Sequence, residues 1–81
     1  MPSQETKQIK TIVAVNLRAA REAKGWRQLD VAMALGIESM YVSRWERARV
    51  LPSLENLHRL AAALGHDVSW FYVDHSEVEA A

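Results

Sequence analysis

The stretch Gln28 to Glu46, QLDVAMALGIESMYVSRWE, leaves the chain few ways to fold. Val31 and Leu35 stand an i, i+4 step apart, and Val42 and Trp45 an i, i+3 step apart. Both are helical spacings. Between them lies Gly36, a residue free to take φ > 0 and turn the chain sharply. Two short helices that cross steeply need a small side chain where their backbones approach, and Ala32 is placed for that. The pattern predicts a helix-turn-helix, a geometry whose second helix can enter a DNA major groove.

The remaining segments predict further helices. Val13, Leu17 and Ala20 form a buried stripe on a helix from about Gln8 to Lys24, which Ile9 extends by one turn. Gly25 suits its C-terminal cap, with Trp26 as the hydrophobic contact behind it. A second helix follows over Gln28–Leu35, with Arg27 in an N-cap position that Ser, Thr or Asp usually fills. A third covers about Ser39–Arg47, with Glu38 favourable near its positive end. Pro52 disfavours helix at Leu51, and Ser53 is a good N-cap for a fourth helix running to Leu64. Leu54, Leu57, Leu60, Ala61 and Leu64 form the core stripe of that helix, and Gly65 ends it. Asp67 or Ser69 starts a last short helix through Phe71 or Tyr72. No strand pattern or repeat is present. The expected fold is all-α, a compact five-helix bundle.

Composition narrows the function classes. With 81 residues the chain is one domain, near the lower end of what a single apolar core can stabilise. It has no cysteine, so disulfides and thiolate metal sites are excluded. The N-terminal sequence lacks a signal pattern, and no apolar run approaches a bilayer span. A cytoplasmic location without membrane association is the expectation. Formal net charge is zero, but it is unevenly distributed. Met1–Gly25 carries Lys7, Lys10, Arg18, Arg21 and Lys24 against Glu5 and Glu22. Arg27, Arg44, Arg47 and Arg49 outnumber Asp30, Glu38 and Glu46 in the next segment. Beyond Pro52, Arg59 stands alone against Glu55, Asp67, Asp74, Glu77 and Glu79. Positive charge accompanies the expected reading unit, and the acidic half weakens non-specific attraction to phosphates.

Val13 to Tyr72 resembles the Cro and phage-repressor type of helix-turn-helix protein, often called XRE-like. The resemblance rests on LRAAREAKG, QLDVAMALGI, YVSRWER and LPSLENLHRLAAALG followed by VSWFY, in this order and spacing. It implies a lambda-repressor-like DNA-binding domain of five helices that binds operator DNA, usually as a two-fold dimer. It divides the chain into a polar N-terminal extension (1–10), the helix-turn-helix domain (11–73) and an acidic tail (74–81). Two positions depart from the pattern: Arg27 replaces a polar cap, and Ala48 stands after the third helix where glycine is common.

Candidate site residues follow. Side chains near the N-terminus of a recognition helix point into the groove, which selects Ser39, Met40, Ser43 and Arg44 for base contact. The Arg44 guanidinium can bond guanine O6 and N7 together, and Met40 can touch a thymine methyl. Alternatively, Arg44 pairs with a nearby acid, and Ser43 faces solvent. Gln28 resembles the family's glutamine at the start of the second helix, where its amide and the free backbone N–H groups can hold a phosphate. Arg27, Arg47 and Arg49 flank the reading helix as further phosphate contacts, and Tyr41 either joins them through its hydroxyl or packs. The resemblance also implies a structural ion pair between Arg21 and Glu46. Trp70, Phe71 and Tyr72 cannot all face one small core, so one is exposed unless a partner covers it. In the resembling family this region contributes to dimer contacts, which makes the three a candidate interface.

His58, His66 and His75 share no metal-ligand spacing, and no arrangement of nucleophile and base is legible. The sequence therefore predicts a regulator of transcription, a repressor type, that binds a pseudo-palindromic site on double-stranded DNA as a homodimer. No enzyme activity, metal, cofactor or small-molecule ligand is expected. The alternative is an antitoxin-like or adaptor module that uses the acidic half and the bare Ala32–Ala34 face of the second helix.

Overall fold

Val13, Leu17 and Ala20 of one long helix meet Val31, Ala32 and Leu35, then Val42 and Trp45, then Leu57, Leu60, Ala61 and Leu64, around a core closed by Phe71. Full burial of each large aliphatic or aromatic side chain contributes about 1.5–3 kcal/mol relative to exposure. The computed structural model describes residues 2–75. Its elements are α1 (Pro2–Ala23), α2 (Gln28–Leu35), α3 (Ser39–Glu46), α4 (Leu54–Leu64) and a 3-10 helix (Val68–Tyr72). No strand occurs among the described residues.

Three expectations change. First, α1 begins at Pro2, well before Gln8. The polar segment has no apolar stripe to announce a helix, but Gln, Glu and Lys are good helix formers and proline suits a first helical position. Second, the fifth element is a single stretch of 3-10 helix rather than an α-helix, so four α-helices are found among the described residues. Third, Leu54 is 65% exposed and Ile9 is also exposed, so both lie off the core. Periodicity assigns a side chain to a face, but it does not say how far along the helix the facing element reaches. Of the acidic tail expected over 74–81, residues 76–81 lie outside the described residues.

Local chemistry explains the element ends. Arg27 has no side-chain acceptor for a free helix N–H, as anticipated. The cap is rescued from the other side: the Asp30 carboxylate accepts the Arg27 backbone N–H at 2.7 Å. This is one half of a capping box. At the turn between α2 and α3, Gly36 takes φ 70° and Ile37 N–H donates to Ala32 C=O at 3.0 Å. That bond closes the sharp turn that lets α3 cross α2. Ser53 Oγ accepts the Asn56 N–H at 3.1 Å and starts α4. Arg59 on α4 donates through Nη2 to the Leu35 carbonyl at the end of α2. A cation there complements the negative end of the helix.

One polar residue sits inside the α1 core face. Asn16 is buried, and its amide donates to the carbonyls of Phe71 (2.9 Å), Val73 (2.8 Å) and, more weakly, Trp70 (3.3 Å). It ties the 3-10 helix and its exit to α1.

Candidate nucleic-acid interface

Successive residues of α3 turn by about 100°. Ser39, Met40, Ser43 and Arg44 therefore share one sector, which Arg47 continues, while Val42, Trp45 and Glu46 share the opposite one. Burial follows this division. Val42, Trp45 and Glu46 are buried, Met40 is 45% exposed, Arg44 and Arg47 are exposed, and Ser39 and Ser43 are half-buried at the edge. The four residues expected at bases thus lie together on an outward face. Tyr41 sits on its flank, exposed. Among the described residues Arg44, Arg47 and Arg49 form no ion pair with a carboxylate. Arg44 does not take the acid-paired alternative, and three unneutralised guanidinium groups border this face.

Behind the face, α3 is anchored by Glu46, whose side chain is fully buried. Arg21 on α1 grips it with two bonds, Nε to Oε2 at 2.6 Å and Nη2 to Oε1 at 3.0 Å. The third nitrogen, Nη1, donates to Trp26 C=O at 2.8 Å. Gln28 Nε2 donates to Oε1 at 3.0 Å, and Arg18 Nε reaches the same oxygen at 3.5 Å. Burial pushes the Glu46 carboxyl up, but the hydrogen bonds from Arg21 and Gln28 outweigh it and hold the group below the usual carboxylate range. The pair expected between α1 and α3 is a hub of four side chains that also takes in the start of α2. The participation of Gln28 and Arg18 is legible only in three dimensions, because nothing in their spacing points to Glu46.

The hub changes the reading of Gln28. Its amide nitrogen is already engaged, so one amide hydrogen and the carbonyl oxygen remain. The first N–H groups of α2 beside it have no intrahelical partner. Arg27 differs more from expectation. Its guanidinium is clamped onto Asp30, Nε to Oδ2 at 3.2 Å and Nη2 to Oδ1 at 3.0 Å. The hydrogen bonds raise the Arg27 pKa and hold the Asp30 carboxyl below its usual range. Arg27 is therefore neutralised by Asp30 rather than the free cation the sequence suggested, with Nη1 and the second Nη2 hydrogen left over for a phosphate.

The three adjacent aromatics separate. Phe71 is 0% exposed in the core, which removes its side chain from the expected dimer surface. Trp70 contacts two imidazoles, His66 stacked at 3.8 Å and His75 tilted at 4.5 Å between ring centroids. His75 Nε2 also lies 3.0 Å from the Trp70 carbonyl. Tyr72 and Val73 are exposed. The sequence did not announce that His66 and His75 share one indole. Among the described residues no cluster of three or more metal-ligating side chains occurs, and no helix is long and apolar enough to cross a membrane.

A family model described as helix-turn-helix matches residues 17–71. A hypothetical transcription factor of Neisseria meningitidis is 40% identical over 57 residues, covering 70% of this chain and 54% of that protein. The HTH-type transcriptional regulator DdrOP3 of Deinococcus deserti is 44% identical over 55 residues, covering 64% of this chain and 43% of that protein. The chain thus spans about half the length of these curated relatives. The crystal structure of the hypothetical transcription factor NHTF from Neisseria superposes with a TM-score of 0.81 at 31% identity, covering 93% of this chain and 88% of that one.

Proposed function

The chain belongs to the Cro/C1-type, XRE-like helix-turn-helix family, and on that premise we propose that it is a sequence-specific transcriptional regulator binding a pseudo-palindromic operator as a homodimer. One observation carries the proposal: the outward face of α3 groups Ser39, Met40, Ser43 and Arg44 while Val42, Trp45 and Glu46 anchor the helix behind it. Arg44 reads guanine through its forked donors, Met40 meets a thymine methyl, and the two serines supply short adaptable bonds. Arg47, Arg49, Tyr41 and the start of α2 at Gln28 hold phosphates and set the register. Arg27, weakened by its pairing with Asp30, joins them through its remaining N–H donors. The domain acts by position, blocking or recruiting polymerase, with no chemistry of its own.

Dimerisation through Tyr72, Val73 and the edge of Trp70 pairs two reading helices on successive major grooves. Sedimentation at micromolar concentration is expected to find a dimer. A monomer that still binds its site at full strength would remove this part of the proposal.

Selection of bound sites from a random DNA pool tests the whole reading. It is expected to return an inverted repeat whose half-site spacing gives the dimer geometry. Arg44→Ala is expected to cost roughly 1–3 kcal/mol on that site and to relax preference at one position. Arg47→Ala is expected to weaken all sequences alike and to lower the salt slope by about one. A pool that yields no enriched sequence sinks the operator reading. It would favour the adaptor or antitoxin-like alternative, for which the exposed Leu29 and Met33 on α2 provide an apolar face.

A further inference from the structure

The end of α3 closes in an unusual way. Gly25, Gly36 and Gly65 take φ of 72°, 70° and 80° where α1, α2 and α4 end. At the end of α3 the same left-handed conformation falls on Ala48, with φ 58°. Among the described residues Ala48 is the only non-glycine with positive φ. Two bonds enforce it: Ala48 N–H to Trp45 C=O at 3.1 Å and Arg49 N–H to Arg44 C=O at 3.0 Å. Together they form a Schellman closure, which glycine usually completes because a Cβ there is strained. The strained residue lies between Arg47 and Arg49, both exposed and without carboxylate partners among the described residues.

We propose that Ala48 is a positioning residue, whose Cβ confines the turn carrying Arg47 and Arg49 to one conformation suited to phosphate contact. The role rests on the reading in which those two arginines meet the DNA backbone. An alanine in the left-handed region occupies a small well, whereas glycine spreads over a much wider range of φ and ψ. With alanine, the backbone between the arginines is ordered before DNA arrives, and less freedom is lost on docking. The domain thus gives up some stability for a preformed pair of cations next to its reading face.

Two variants test this. Ala48→Gly relieves the Cβ strain but loosens the turn. Ala48→Asn keeps a Cβ and tolerates the left-handed region. Binding is read by fluorescence anisotropy on a labelled random-sequence duplex at low salt, where phosphate contacts dominate. Stability is read by thermal melting, and turn mobility by 15N relaxation without DNA. Ala48→Gly is expected to melt higher, by about 2–6 °C. It is also expected to bind the duplex about two- to fivefold more weakly, the scale of the Gly–Ala difference in backbone freedom. Relaxation at Arg47–Arg49 is expected to show greater motion in this variant. Ala48→Asn is expected to bind like the parent. A glycine variant that binds as tightly as the parent, or an asparagine variant that loses as much as the glycine one, overturns the role of the Cβ. A parent that does not bind the duplex overturns the DNA-binding reading itself, and this role with it.

Discussion

Arg21→Ala is expected to destabilise the domain by roughly 3–5 kcal/mol, because it strands a buried carboxylate. The Glu46 side chain is fully enclosed, and Arg21 supplies its shortest bond, 2.6 Å, and a second at 3.0 Å. Gln28 and the distant Arg18 remain, but a neutral amide and a 3.5 Å contact cannot offset the buried charge. A domain of this size has only about 5–10 kcal/mol in total, so much of the population unfolds on modest denaturant. Urea titration measures the loss directly. Replacing both partners, as in Arg21→Met with Glu46→Leu, is expected to restore much of the stability, since well-packed apolar isosteres often match a buried pair. That double variant is still expected to bind DNA poorly, because the directional bonds from Arg21 and Gln28 to Glu46, which hold α3 alongside the apolar anchors Val42 and Trp45, are lost. A single variant as stable as the parent would show that the hub bears no load.

The same hub predicts a pH dependence. The folded Glu46 carboxyl lies below its usual value, so its contribution is complete above the unfolded value of about 4.3. It is lost as pH falls through the lower folded value. In Arg21→Ala burial acts with less opposition, which drives the carboxyl upward. Acidification then relieves the stranded charge. Chemical denaturation from pH 7 to pH 4 is expected to show the gap between parent and variant narrowing. A gap that is constant over this range would contradict the assignment.

Asn16→Ala is expected to cost about 2–4 kcal/mol, since it takes the amide donor away from the Phe71 and Val73 carbonyls near the core. The carbonyls of Phe71 and Val73 accept the shorter bonds, and Trp70 the longer one. The five-residue 3-10 helix is seated by this amide together with the buried Phe71 ring. Its release would loosen the aromatic stack of His66, Trp70 and His75 and displace Tyr72 from its place. The expected readouts are a lower melting temperature, quenched or shifted Trp70 emission and, where Tyr72 pairs two copies, weaker dimerisation. Unchanged stability would mean that water replaces the amide without loss.

The apolar stripes of α1, α2, α3 and α4 were readable because helical period and burial coincide at Val13, Leu17, Val31, Leu35, Val42, Leu57 and Leu60. Asn16 was also within reach: it falls between Val13 and Leu17 on a face that should hold only apolar residues. A polar side chain in such a stripe marks a buried hydrogen-bonding site. The partnership of Arg27 with Asp30 was likewise readable, since the two stand at the N-cap and N3 positions of one helix. Leu54 was misread because period alone cannot say where a core stops.

The order of residues along the chain therefore determined the family, the helices and the outward set Ser39, Met40, Ser43 and Arg44, because these depend on periods of a few residues and on local turn chemistry. Tertiary structure decided what depends on distant partners. It gave Gln28 and Arg18 to Glu46, sent Phe71 inward while leaving Tyr72 out, and seated the last element through Asn16. It also forced Ala48 into a glycine's conformation. Alanine's local preference opposes that geometry, but the two hydrogen bonds that close α3, with Trp45 and Glu46 held in the core, impose it. The sequence marks Ala48 as a departure, and only the fold shows that the strain falls between two arginines beside the reading face.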